Sequence, residues 1–133
     1  MSQTPDSPAV KLARAHVEAW ARKDFDTARN GLAADVTAAQ SSTNPDIPRA
    51  DLVGAGDYMH GLILFAQSIV PGSVRVTDSA GDGRYALLMV TTEVDGPPYG
   101  KLTIRHARLY RFDDNGKIAA EQVIFYTAPS WGL

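Results

Sequence analysis

Three residues in the C-terminal third have the types needed for proton transfer and charge stabilisation: His106, Arg108 and Glu121. His106 and Arg108 are two positions apart, so on an extended strand they project from one face. An unperturbed histidine titrates at about pH 6.5 and can act as acid or base near neutrality. Arginine stays charged and can hold a carboxylate or stabilise an enolate oxygen. A glutamate nearby can orient the histidine or pair with the arginine. The set reads as His106 for acid/base work, Arg108 as oxyanion or carboxylate partner, and Glu121 as orienter. The same residues also allow a structural reading, with Arg108 and Glu121 as a cross-strand ion pair and His106 satisfied by backbone or water.

The stretch that must position them runs from Lys101 to Tyr126. It has two alternating apolar runs around Asp114-Asn115-Gly116, which predicts a hairpin with a type I′ turn, both central residues at positive φ. On the first strand, Leu102, Ile104, His106, Arg108, Tyr110 and Phe112 share a face. On the second, Glu121, Val123 and Phe125 oppose Gln122, Ile124 and Tyr126.

Upstream, Ser7-Pro8 has the pattern of a helix cap followed by proline in the first turn. Val10, Ala13, His16, Val17 and Trp20 fall on one helical arc, with Lys11, Arg14, Glu18 and Arg22 opposite. His16 either aims at a cavity or is a satisfied core histidine. Lys23-Asp24 ends this helix, and Asp24 caps a second one from Phe25 to about Ala33. A short strand is expected over Asp35–Ser42, then a loop across SSTNPDIP. A third helical segment is expected to begin with a turn at Arg49–Val53 and to run to about Ile69, carrying Tyr58, Met59, Leu62, Ile63, Ala66 and Ile69. Pro71-Gly72 ends it. Strands follow over Ser73–Ser79 and Arg84–Val94, the second (YALLMV at its centre) apolar on both faces and so inside the sheet. Trp20, Tyr58, Met59 and Phe125 are expected as core or pocket wall, and His60 as exposed.

Helices grouped ahead of an antiparallel meander imply an α+β fold: three N-terminal helices on a strongly curved, mainly antiparallel mixed sheet, a cone with one pocket between the layers. At 133 residues, one domain over 8–127 is expected, with residues 1–7 and 128–133 as loose ends and Trp131 free to dock on the body. The chain is 44% hydrophobic and 21% charged, with a net charge of −2. That balance gives no reason to expect nucleic acid or an anionic membrane as partner. The longest apolar run, near Leu62–Ala66, is too short to span a bilayer. There are no cysteines, which removes disulfides, thiolate metal sites and a cysteine nucleophile, and fits a reducing cytoplasm. The N-terminus lacks the pattern of a secretory signal. Gly54-Ala55-Gly56 does not follow a strand in a βαβ unit, so it is not a dinucleotide fingerprint. The three histidines have no metal-ligand spacing, and no cofactor or metal is expected.

AWARKDFDTA, LAADVTAA, IVPGSVRV and YRFDDNGKI followed by a strand ending IFY together resemble the nuclear transport factor 2-like superfamily, in its SnoaL-like branch. The resemblance spans about residues 8–127. It implies the conical α+β fold, commonly dimeric through the outer sheet face, with a pocket for a small hydrophobic molecule. It also implies relatives that include ketosteroid isomerases, epoxide hydrolases, polyketide cyclases and dehydratases. Carried over by position, the isomerase general-base aspartate falls on Gln40, its oxyanion-hole acid on Arg108 and its first-helix tyrosine near His16. A last-strand aspartate of the epoxide hydrolases falls on Val123, and Tyr126 stands near a cyclase acid/base position. These positions argue against both the ketosteroid isomerase and the epoxide hydrolase activity. The resemblance also implies that His106, Arg108, Glu121, Val123 and Phe125 face the pocket, and the lead reading is a cofactor-free isomerase, cyclase or dehydratase with His16, Trp20, Gln40, Tyr58, Met59, Val123 and Phe125 around the substrate. The amide at Gln40 favours the alternative, a non-catalytic ligand-binding or dimeric interaction module.

Overall fold

The computed structural model describes residues 6–42, 50–97 and 100–126. The remaining positions, including most of the expected 41–48 loop, Arg49 and the docking of Trp131, lie outside the described residues. Helix α1 spans Pro8–Ala21, and the Ser7 hydroxyl accepts from the Val10 amide at 3.2 Å, as the cap pattern predicts. Its buried face carries Val10, Ala13, His16, Val17 and Trp20. The helix ends in a Schellman arrangement: Lys23 N–H donates to the Trp20 carbonyl and Asp24 N–H to that of Ala19. Lys23 holds the left-handed position at φ 63°. Asp24 then caps α2 (Phe25–Asn30), its carboxylate accepting from Thr27. This helix is shorter than expected, because β1 already begins at Leu32 and runs to Ser42.

The expected helical turn before the long helix is a strand. Ala50–Val53 forms β2, antiparallel to β1, with Leu52 opposite Ala38. Four residues of mixed polarity carry little periodicity, and pairing along the free edge of β1 supplies the backbone hydrogen bonds. Helix α3 follows over Ala55–Gln67, burying Tyr58, Met59, Leu62, Phe65 and Ala66.

The meander consists of β3 (Arg75–Gly81), β4 (Tyr85–Val94), β5 (Leu102–Phe112) and β6 (Ile118–Phe125). β3 starts later than predicted, and a register shift between Val76 and Asp78 disrupts the expected alternation. β4 is paired on both sides, but only one of its faces is buried. Tyr85 and Leu87 are exposed on the other. The hairpin turn also differs from a type I′ loop. Gly116 is at φ 71°, Asn115 keeps negative φ, and Gly116 N–H donates to the Asp113 carbonyl. Asp113 directs this choice, its carboxylate accepting from the Asn115 and Lys117 amides at 2.9 Å each.

The sheet order is β2-β1-β6-β5-β4-β3, all antiparallel except β1 with β6. Three helices pack on this open, mixed six-stranded sheet: α1 lies against β3, β4 and β5, and α3 against β1 and β2. Alternating residues of β5 and β6 (Ile104, His106, Arg108, Tyr110, Phe112, Glu121, Val123 and Phe125) are buried beneath them. The face that the family resemblance placed toward the pocket is therefore the inward one.

Candidate functional site

The β5–β6 register puts Arg108 opposite Val123 and Tyr110 opposite Glu121, so Arg108 and Glu121 are diagonal neighbours on the inner face. Their side chains meet with Nη1 3.2 Å from Oε2, both almost wholly removed from water. On the other side, Arg108 Nε donates to His106 Nδ1 at 2.9 Å. A guanidinium only donates, so Nδ1 must be the unprotonated nitrogen of His106. The proton is then on Nε2, which donates to the Thr92 hydroxyl at 3.2 Å. Trp20 and Phe65 cover the guanidinium, with ring centroids 4.9 and 5.7 Å from its central carbon.

Burial and charge act on each group in a consistent way. Burial lowers the His106 pKa well below 6.5, and the Arg108 charge adds to the effect. Burial is the largest influence on Arg108 and disfavours the cation, but Glu121 together with Tyr110 and Tyr58 more than offsets it, and the net shift is upward. Tyr58 and Tyr110 are raised well above 10, first by burial and then by Glu121. Both hydroxyls therefore stay protonated, as donors. His16 is lowered to about 4, mainly by burial, with Glu121 opposing and Arg108 assisting. Its Nε2 lies 3.1 Å from the Tyr58 hydroxyl.

A cavity of about 210 Å³ opens between α3 and the sheet. Arg108, Glu121, Val123 and Phe125 line it from β5 and β6, Ala38, Ala39 and Gln40 from β1, and Leu52 from β2. Tyr58, Gly61, Leu62, Leu64 and Phe65 line it from α3. Among the described residues Glu121 is the only carboxylate on its surface and Arg108 the only cation. No group of three or more metal-ligating side chains occurs among the described residues.

Of the residues singled out from sequence, Gln40, Tyr58, Arg108, Glu121, Val123 and Phe125 reach this cavity. Trp20 sits behind Arg108, His16 behind Tyr58, and Met59 is packed in the core. His106 does not line the cavity, and both its ring nitrogens are engaged within the protein. The structure thus places His106 behind Arg108, accepting from its guanidinium, with the acid/base role expected of it still a proposal. Sequence reasoning passed over Thr92, Phe65 and Tyr110. Phe65 had a signal, since Tyr58, Leu62 and Phe65 follow the i, i+4, i+7 spacing of one helix face. Thr92 had none, because its role depends on a cross-strand neighbour.

A SnoaL-like domain model matches residues 13–121. No curated protein matches the chain significantly. Among solved structures, one from Kribbella flavida DSM 17836 superposes with a TM-score of 0.75 at 26% identity, covering 96% of this chain and 93% of the other. An LEH-like epoxide hydrolase from M. tuberculosis gives 0.67 at 20% identity, covering 91% and 85%. A protein of ketosteroid isomerase-like fold from Catenulispora acidiphila DSM 44928, in complex with trimethylamine, gives 0.67 at 18%, covering 89% and 85%. The last two likenesses bear on fold alone.

Proposed function

Because this chain belongs to the SnoaL-like family, we propose that it is a cofactor-free catalyst of proton transfer on a small, mostly apolar, oxygen-bearing molecule. The reaction class is isomerisation, cyclisation or dehydration. The observation that carries this reading is the Arg108–Glu121 pair in the wall of an otherwise largely apolar cavity. An ionic pair removed from water is expensive to maintain, and its placement at a cavity surface suits stabilisation of developing charge.

In this reading Glu121 takes a proton from the carbon beside a substrate carbonyl, and the electron pair moves onto the carbonyl oxygen as an enolate. Arg108 and the Tyr58 hydroxyl face the negative charge that develops on that oxygen. His106 and Trp20 keep the guanidinium oriented. The size of the cavity narrows the substrate: about 150 Å³ suffices for benzene, so 210 Å³ suits a single substituted ring. A homodimer is part of the same proposal, formed through the outer sheet face, where Tyr85, Leu87, Leu109 and Ile124 are exposed.

The test is deuterium exchange in D₂O, followed by NMR, over a panel of small cyclic ketones and enones. The wild-type protein is expected to accelerate exchange beside the carbonyl of at least one compound. Glu121→Gln, which can keep an acceptor for Arg108, is expected to lose about a hundredfold or more of that rate. The binding-module reading is favoured by one feature, the mutual satisfaction of Arg108, His106 and Glu121. Saturable binding of panel compounds without any exchange would establish that reading in place of catalysis.

A further inference from the structure

The polar part of the main cavity is shut from water, since Arg108 and Glu121 are almost wholly buried. Gly61 and Leu64 of α3 and Leu52 of β2 line the cavity too, and these reach the surface, so it opens between the helix and the edge strand. Gly61 is unexpected by helix rules. It stands at the centre of α3, one turn from Tyr58 and from Phe65, on the face whose apolar side chains are buried. A glycine there gives up both helix propensity and buried apolar surface. Its backbone is helical, so no left-handed conformation demands it. Space does. A Cβ at position 61 would lie 3.1 Å from Leu52 Cδ1 and 3.9 Å from Cδ2. Apart from its chain neighbours and the backbone of its own helix, that Cβ would meet no other described residue within 4 Å. Carbon atoms settle about 3.5–4.0 Å apart, so Leu52 occupies room that a side chain at 61 would need.

We propose that Gly61 and Leu52 form the constriction that sets the breadth of ligand the main cavity admits. This deepens the reading of that cavity as the substrate site and rests on it. Leu52 belongs to a four-residue strand at the edge of the sheet. Its cross-strand neighbour is Ala38, which presents only a methyl to the same cavity wall. Leu52 is thus the large side chain on the β2 side of the opening, and bare backbone faces it from α3. A methyl at 61 would share that gap with Leu52 and narrow the opening. Truncating Leu52 would widen it. Both partners of the constriction are apolar, so it selects by size. Recognition of the oxygen function is left to Tyr58, Arg108 and Glu121, which also line the cavity.

The experiment measures binding of cyclohexanone and of the two-ring ketone 1-tetralone to the full-length chain. The readout is the shift of the Tyr58 and Val123 amide signals in ¹H–¹⁵N NMR. Gly61→Ala is expected to weaken 1-tetralone binding about tenfold while cyclohexanone changes by about twofold or less. Leu52→Ala is expected to strengthen 1-tetralone binding about tenfold. In the Leu52→Ala background Gly61→Ala is expected to have no further effect, because its methyl meets Leu52 and no other described side chain. Gly61→Ser and Leu52→Val replace any variant that does not fold. Equal changes for the two ketones, or the same effect of Gly61→Ala with and without the Leu52 side chain, overturn the proposal and leave Gly61 as a packing contact between α3 and β2. Failure of both ketones to bind wild type and Leu52→Ala overturns it as well. No turnover enters this measurement. Binding without size selection leaves the Glu121 reaction standing, and binding without deuterium exchange removes that reaction while leaving the size selection intact.

Discussion

His16 and His106 are kept neutral in the folded protein by burial, whereas each would titrate near 6.5 when unfolded. Below that pH the unfolded chain binds more protons than the folded one. Stability is therefore retained above pH 6.5 and lost as the pH falls through it. For His16 the loss runs from 6.5 down to its folded value of about 4, with a limiting slope of roughly 1 kcal/mol per pH unit. Urea unfolding midpoints are predicted to drop steadily as the pH falls from about 7.5 to about 5. His16→Gln is predicted to remove part of that slope, and equal slopes in wild type and variant would refute the assignment. That His106 and Arg108 share a face was legible from strand periodicity, and the family resemblance added Glu121 to it. Their division of labour was not. Arg108 Nε reaches back to the histidine and Nη1 forward to the glutamate, and these torsions are settled by Trp20 and Phe65 packing on the guanidinium.

At the scale of elements, the chain carries one local conflict that its sequence did not reveal. Lys23 occupies the left-handed position of the α1 terminus, where a side chain is disfavoured. Lys23→Gly is predicted to raise stability by about 1 kcal/mol, measured by chemical denaturation. Gly116→Ala places a Cβ at φ 71° in the hairpin turn and is predicted to lower stability by a similar amount, about 1 kcal/mol. Opposite signs at two left-handed positions would distinguish backbone conformation from side-chain contact. Caps were easy to read here, because Ser7 and Asp24 act on amides three residues away. Ala50–Val53 was not, because a four-residue edge strand is determined by its partner β1.

At the scale of the molecule, the sheet buries one face under the helices and presents apolar side chains on the other. Leu87 and Leu109 face each other across β4 and β5 and are 37% and 44% exposed. The proposed dimer would cover them. Light scattering is predicted to give twice the chain mass for wild type and the chain mass for Leu109→Glu, which places a charge in the middle of that surface. A wild-type monomer at working concentration would remove the dimer. No helix among the described residues is long and apolar enough to cross a membrane.

Local rules were enough to read the α+β class, both helix caps and the two alternating faces of β5 and β6, while the family resemblance was needed to say which face turns inward. Each depends on neighbours within a few positions, where periodicity and turn chemistry operate. The tertiary structure decided what depends on contacts between distant segments. Thr92 and Arg108 occupy both nitrogens of His106, and Tyr58 meets His16 across 42 positions. The Lys101–Tyr126 hairpin could be recognised from its residues alone as a pair of strands carrying polar groups among apolar ones. Which of its side chains reaches the cavity, and which packs behind, follows from burial and partners that no single segment contains.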